Sequence, residues 1–200
     1  MSRIPFRATA AGALLALALA PASAASPDKA ELRRFATTVA ERHDLDAAAL
    51  HATLSEAEHD PRALERLQAP AEALSWQRYR ALFLTEERLE AGLAYAAEHT
   101  EPLAKVAAEY GVARSVLLAL LGVESFYGAR RGDHRVLDAL TTLGFSDHPR
   151  AGFFRDELAS FLVLSAEHGW DASELKGSYA GALGKPQFIP SSYRTYAVDQ

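Results

Sequence analysis

Glu124 is the residue whose type and setting best suit proton transfer. Leu117, Leu120, Leu121 and Glu124 stand at offsets 0, 3, 4 and 7, so a helix through them puts the carboxylate at the end of an apolar stripe. Such a stripe is expected to face the core. Burial disfavours the charged form of a carboxyl, and a place near a helix C-terminus adds the negative end of the helix dipole. Both effects push the pKa up, toward what a general acid at neutral pH requires. Gly122 costs roughly 1 kcal/mol in a helix interior relative to alanine, which makes sense if another backbone or a ligand approaches closely there. Periodicity alone leaves a second reading open, a helix-terminal glutamate that swings out to water.

Two further features shift the balance toward chemistry. Phe126-Tyr127-Gly128 puts aromatic rings within a turn of the acid. Farther on, Gly177-Ser178-Tyr179-Ala180-Gly181-Ala182-Leu183-Gly184 runs into Lys185-Pro186-Gln187-Phe188-Ile189-Pro190-Ser191-Ser192-Tyr193. Three glycines and two hydroxyls make a loop able to approach a ligand. Gln187 carries a donor and an acceptor on one side chain, and Phe188 and Tyr193 are among the rings flanking it, a composition suited to stacking on sugars and hydrogen-bonding them. Alone this is a weak signal, since Gly-Ser-Gly loops are common and Ser191-Ser192 can equally cap a helix.

Taken in order, Gly122-Val123-Glu124-Ser125-Phe126-Tyr127-Gly128, Val136-Leu137-Asp138-Ala139-Leu140-Thr141-Thr142-Leu143 and the block from Gly177 to Tyr193 resemble the lytic murein transglycosylase B family. Arg78-Tyr79-Arg80 with Phe83 is similar to that family's run-up. The resemblance covers essentially all of the chain after residue 24, and three blocks in order are specific where one would not be. It implies a mainly α, lysozyme-like transglycosylase domain with additional N-terminal helices. It implies that Glu124 is the single catalytic acid/base, protonating the glycosidic oxygen between N-acetylmuramic acid and N-acetylglucosamine. The same group then deprotonates the muramyl 6-hydroxyl, which attacks the anomeric carbon and leaves a 1,6-anhydro ring. An internal nucleophile needs no catalytic water and no second carboxylate, unlike the usual two-carboxylate glycosidase. By the same resemblance Ser178 and Gln187 hold the sugar near the cleaved bond, and Arg150 in His148-Pro149-Arg150 sits near the muramyl and peptide groups. Tyr127, Phe188 and Tyr193 complete the expected substrate-binding set. No cofactor and no metal are implied. Family members continue past the position of Gln200, often with an aspartate-rich, calcium-loop-like stretch that Asp199 would open, so the catalytic core is expected to be incomplete at its C-terminal end. The rival readings are a hydrolytic muramidase, with Asp138 or another acid helping, and a non-catalytic peptidoglycan-binding protein.

Other candidates read as structure. Asp138 lies between Leu137 and Ala139 and suits a cap or a core hydrogen bond. His43, His51 and His59 are eight apart, a spacing that serves no metal. Asp133-His134 falls in a basic loop with Arg130, Arg131 and Arg135, expected to meet solvent or an anionic polymer. No phosphate loop, zinc helix motif or serine triad is present.

The elements that must position these residues are helical. Leu32, Phe35 and Val39 mark a stripe over residues 31–42, and Leu50, Leu54 and Ala57 another over 46–58, capped by Asp46. Pro61 suits the first turn of a short helix carrying Leu64 and Leu67, and residues 68–75, with Pro70, form a connection. An aromatic-rich stretch follows from Trp76 to Leu84. Thr85 caps a helix from Glu86, Pro102 either starts a new helix or kinks this one, and Tyr110-Gly111 marks a helix end. Residues 116–126 are the most apolar segment after the N-terminus, and 151–168 make an amphipathic helix with Phe154, Leu158, Phe161 and Leu162 on one face. The stretch between these two helices reads as loop-rich, as does 176–192.

Arg3 and Arg7 precede an uncharged apolar run from Ala10 to Ala20, then Pro21 and Ala22-Ser23-Ala24. That is the pattern of a cleaved export signal, and the run is far short of the roughly 20 residues that span a bilayer. The expected organisation is therefore a signal peptide at 1–24, an N-terminal helical segment at 25–75 and a lysozyme-like catalytic core at 76–200. The absence of cysteine leaves no thiolate nucleophile and no site for a lipid anchor, so the expectation is a periplasmic protein without a stable membrane anchor. The net charge of −5 argues against a nucleic-acid partner; peptidoglycan glycan strands are the expected partner.

Overall fold

A computed structural model describes residues 27–68 and 74–198. The export segment, most of the connection through Pro70, and Asp199 lie outside the described residues. Helix α1 (Lys29–His43) begins where the Asp28 carboxylate accepts the Ala30 amide, and ends at Asp44 in the left-handed region. Its stripe buries Leu32 and Val39, and the Phe35 ring meets Phe145 edge-on at 5.7 Å. Asp46 caps α2 (Ala47–Ser55) by accepting the Ala48 and Ala49 amides at 2.7 and 3.3 Å. That helix stops short of Glu58 because residues 56–60 turn to meet the body of the protein. Helix α3 (Pro61–Gln68) has proline at its first position and buries Ala63 fully, Leu64 and Leu67 partly.

Helices α4 (Trp76–Ala81), α5 (Glu86–Glu98), α6 (Thr100–Tyr110) and α7 (Arg114–Ser125) follow. The Thr85 hydroxyl accepts the Arg88 amide at the start of α5. Pro102 lies in the first turn of α6, so it starts a new helix, and Gly111 ends that helix at φ 67. Two-residue strands β1 (His134–Arg135) and β2 (Lys176–Gly177) pair antiparallel, His134 opposite Gly177. Between them run α8 (Val136–Gly144) and α9 (Ala151–His168); α10 (Pro190–Tyr196) comes last, with Pro190 at its first position.

The loop-rich reading of the segment before residue 151 is corrected by α8. All nine of its residues are buried, so even the face that carries Asp138, Thr141 and Thr142 is turned inward. Similarly, α10 claims the end of the stretch read as loop. The core is built on α8 and α9, with Leu137, Leu140, Leu143, Phe154, Leu158, Phe161 and Leu162 packed against Val39, Leu50 and Leu54 of α1 and α2. Full burial of each large side chain contributes about 1.5–3 kcal/mol. The N-terminal helices thus share one core with α8 and α9. By contrast, Leu89, Leu93, Val116, Leu120 and Val123 on α5 and α7 are exposed.

A polar cluster fastens residues 58–60 to this core. The Asp60 carboxylate meets His134 Nδ1 at 2.5 Å, with both side chains buried, and the Asp60 amide donates to Thr142 Oγ1. Asp138 accepts the Glu58 amide at 2.9 Å and pairs with Arg135 at 3.2 Å. Asp138 is therefore a core hydrogen-bonder. His134, expected at a solvent-facing loop, is instead turned inward.

Candidate active site

Glu124 is the penultimate residue of α7. The helix ends abruptly, because Phe126 and Tyr127 both adopt left-handed backbones, φ 52 and 58, and Gly128 follows at φ 93. The Tyr127 amide bonds back to the Leu121 carbonyl at 2.9 Å, and Arg130 N–H donates to the Ser125 carbonyl at 2.8 Å. Phe126 is held between the guanidinium groups of Arg88 and Arg130, 5.0 and 4.6 Å from its ring centre.

Leu117, Leu120, Leu121 and Glu124 do share one face, but that face lines an open cleft of about 590 Å³ rather than the core. The remaining walls include Tyr95 of α5, His99 at the junction of α5 and α6, Pro102, Leu103 and Val106 of α6, and Pro186 and Phe188 of the loop before α10. Glu124 is consequently exposed, which corrects the expectation of a buried carboxylate. Gly122 is explained by a side chain. A Cβ there would stand 2.7 Å from the Tyr127 hydroxyl, and one at Gly92 of α5 would meet the same hydroxyl. Tyr127 is thus wedged between α5 and α7, with its ring 5.6 Å from that of Tyr95.

Of the other expected site residues, Phe188 lines the Glu124 cleft. It also pairs with Leu183 through two backbone hydrogen bonds, 2.7 and 3.2 Å. Tyr193 lines a second groove of about 700 Å³ with Tyr110, Lys185 and Tyr196; Val106, Pro186 and Phe188 line both, so the two are continuous. Gln187, at φ 51, donates through Nε2 to the Arg131 and Gly184 carbonyls at 3.1 and 2.9 Å. Its amide hydrogens are thereby used within the protein, which leaves Oε1 as the acceptor for a ligand. Ser178 Oγ accepts the Ala180 and Ala182 amides, 3.2 and 3.0 Å, and so shapes its own loop. The neighbouring Gly132, at φ 93, packs against Gly177 and Ser178 too closely for any side chain. Arg150 stands at the N-terminus of α9 with its guanidinium over Phe153 and Phe154, and is not among the residues lining either groove.

Tyr95, His99 and Lys185 were missed from sequence. The first two are four residues apart at the C-terminal end of α5, where His99 is the cap; their rings are 4.0 Å apart, and the Lys185 ammonium sits 5.2 Å from the Tyr95 ring centre. An aromatic pair at helical spacing was the available signal. In the basic loop, Arg62 hydrogen-bonds Asp133 at 3.0 Å and holds that carboxyl below its ordinary range. Among the described residues no group of three or more histidines and carboxylates is arranged to hold a metal, and no single helix is long and apolar enough to cross a membrane.

A mainly helical body with one carboxylate at the mouth of a long cleft defines a lysozyme-like class of domain. Residues 27–200 match the family model described as the transglycosylase SLT domain, and the chain belongs to that family. It is 34% identical to the membrane-bound lytic murein transglycosylase B of Escherichia coli, over 84% of this chain and 49% of the relative. Soluble lytic transglycosylase SltB1 of Pseudomonas aeruginosa superposes with a TM-score of 0.80 at 39% identity, over 84% of this chain and 57% of that one. SltB3 of the same organism, solved with NAG-anhNAM-pentapeptide, gives 0.76 at 29% identity, over 86% and 46%. The chain spans about half the length of these relatives.

Proposed function

We propose that this chain is a lytic transglycosylase that cleaves the MurNAc–GlcNAc β-1,4 bond of peptidoglycan in the periplasm, after removal of residues 1–24. In this reading residues 76–200 are the catalytic core and 25–75 its helical support. The observation that carries it is Glu124: it is the one carboxylate among the described residues lining the cleft, and Asp138 is committed to Glu58 and Arg135. A site with one acid/base is matched to a reaction whose nucleophile is already in the substrate. Glu124 first gives its proton to the leaving GlcNAc oxygen, then takes one from the muramyl 6-hydroxyl as that oxygen closes on C1. Tyr95, Phe188 and Tyr193 offer faces for sugar rings, and Gln187 Oε1 offers an acceptor. Ser178 shapes the loop beside them. Tyr127 sets the cleft wall from behind, and Arg150, at the N-terminus of α9, is assigned to the peptide-bearing part of the strand. The relative solved with an anhydromuramyl ligand supports this chemistry. Mass analysis of products from purified sacculi tests it. Anhydromuramic ends, lighter by one water than hydrolytic ends, are expected. A majority of reducing muramic ends would establish a muramidase, and binding without release a non-catalytic glycan-binding protein.

A further inference from the structure

We infer that Ser125 is a positioning residue, whose hydroxyl fixes the loop carrying Gln187 and Phe188 relative to Glu124; this rests on the assignment of Glu124 as acid/base. Ser125 is 1% exposed although it follows an exposed glutamate. Its Oγ donates to the Lys185 carbonyl at 2.6 Å and accepts the Gly128 amide at 2.9 Å. One hydroxyl therefore joins three things: the last residue of α7, the left-handed turn after it, and residue 185 of the loop on the opposite wall of the cleft.

Both stretches that Ser125 joins are strained. Phe126, Tyr127 and Gln187 are non-glycine residues at positive φ, a conformation that persists only when the surroundings over-determine it. The bond reaches a backbone carbonyl, so it senses where the loop runs and not which side chain Lys185 carries. From the other side the loop is tied through Gln187 Nε2 to the Arg131 carbonyl. Beyond the backbone bridge to Leu183, residues 185–188 are thus held by two hydrogen bonds to the segment that follows Glu124. Cutting the Ser125 bond removes the tie at residue 185 and leaves those at Gln187 and Phe188, so the near end of the loop can shift its distance from the carboxylate. A displacement of about 1 Å in a catalytic constellation is enough to cost on the order of 10²-fold in rate.

The test compares Ser125→Ala, Ser125→Cys and Glu124→Gln with the parent, using soluble uncrosslinked glycan strands at a temperature where circular dichroism shows each protein folded. Ser125→Ala is expected to lower kcat by about 10- to 100-fold. Amide exchange at Gly128 and residues 184–188 should rise while exchange in α8 and α9 is unchanged. Ser125→Cys keeps the volume with a much weaker donor, so it should show the same loss of kcat, and it decides the matter if the alanine variant does not fold. Parental kcat in either folded variant, with Glu124→Gln inactive, overturns the positioning role and leaves Ser125 as a helix-end cap. Parental activity in Glu124→Gln would instead overturn the acid/base assignment beneath it.

Discussion

Gly92 and Gly122 face each other across the Tyr127 ring, and substituting them measures how α5 is held to α7. A glycine-to-alanine change in a helix interior ordinarily stabilises by about 1 kcal/mol. Here the new Cβ would lie 2.7 Å from the Tyr127 hydroxyl at position 122 and closer still at position 92, with the ring carbon Cζ at 2.9 Å in both cases. The ring cannot yield to one helix without striking the other. Tyr95 flanks it as well, and the backbone of Tyr127 is fixed at φ 58. Overpacking of this kind costs about 1–3 kcal/mol. Each single alanine variant should therefore be destabilised by up to about 2 kcal/mol, despite its better helix propensity. For a chain of this size that is a fall in Tm of up to about 4–8 °C. The double variant should lose more than the sum, because it removes both escapes. Introducing Tyr127→Ala reverses the sign: without the ring, each glycine-to-alanine change should raise Tm. Urea and thermal unfolding of the seven proteins decide it. If Gly122→Ala stabilises the parent as much as it stabilises the Tyr127→Ala background, the wedge does not exist.

Glu124→Gln should reduce turnover by at least about 10²-fold, since one group carries both halves of the proton transfer. Because the side chain is exposed, unfolding should move by less than about 0.5 kcal/mol; loss of folding would assign Glu124 a structural part. Burial pushes the Asp138 carboxyl above its ordinary range, against the opposing Glu58 amide and Arg135. The folded state thus holds that proton more tightly than the unfolded chain, so the contribution of this group to stability is full at acid pH. It is lost as pH rises through the ordinary and then the raised carboxyl range. Asp138→Asn should remove this component, and parallel pH–stability curves for the two proteins, measured by urea unfolding, would refute it.

Sequence periodicity identified which residues share a face but not what that face meets. Leu117, Leu120, Leu121 and Glu124 are aligned as read, yet the stripe lines a cleft, because an apolar wall facing a ligand has the same spacing as one facing a core. The amphipathic helices α1 and α9 were legible, since each has one buried side and one wet side. Helix α8 was not, being buried all round, with Asp138 and Thr142 placed where contacts about 80 residues away in sequence require them. The pairing of His134 with Asp60, and of Ser125 with Lys185, leaves no local trace either. Gly122 did carry a true signal of close approach, but the approaching group was a tyrosine five residues downstream. Ser178 and Gln187 stand out by type, whereas the use of their polar atoms inside the loop needed coordinates.

The core pairs α1 and α2 with α8 and α9, while α4 to α7 lie between them in the chain. As the polypeptide emerges, α1 and α2 can close on each other, but the rest of the core they share is missing until residues 136–165 arrive. The cleft helices are by then already out. Folding must therefore proceed around a long excursion rather than from one end to the other, and such non-local closure is slow. A chain built this way completes its core late in its emergence, because the pair formed by its first two helices meets α8 and α9 only after the cleft helices are out.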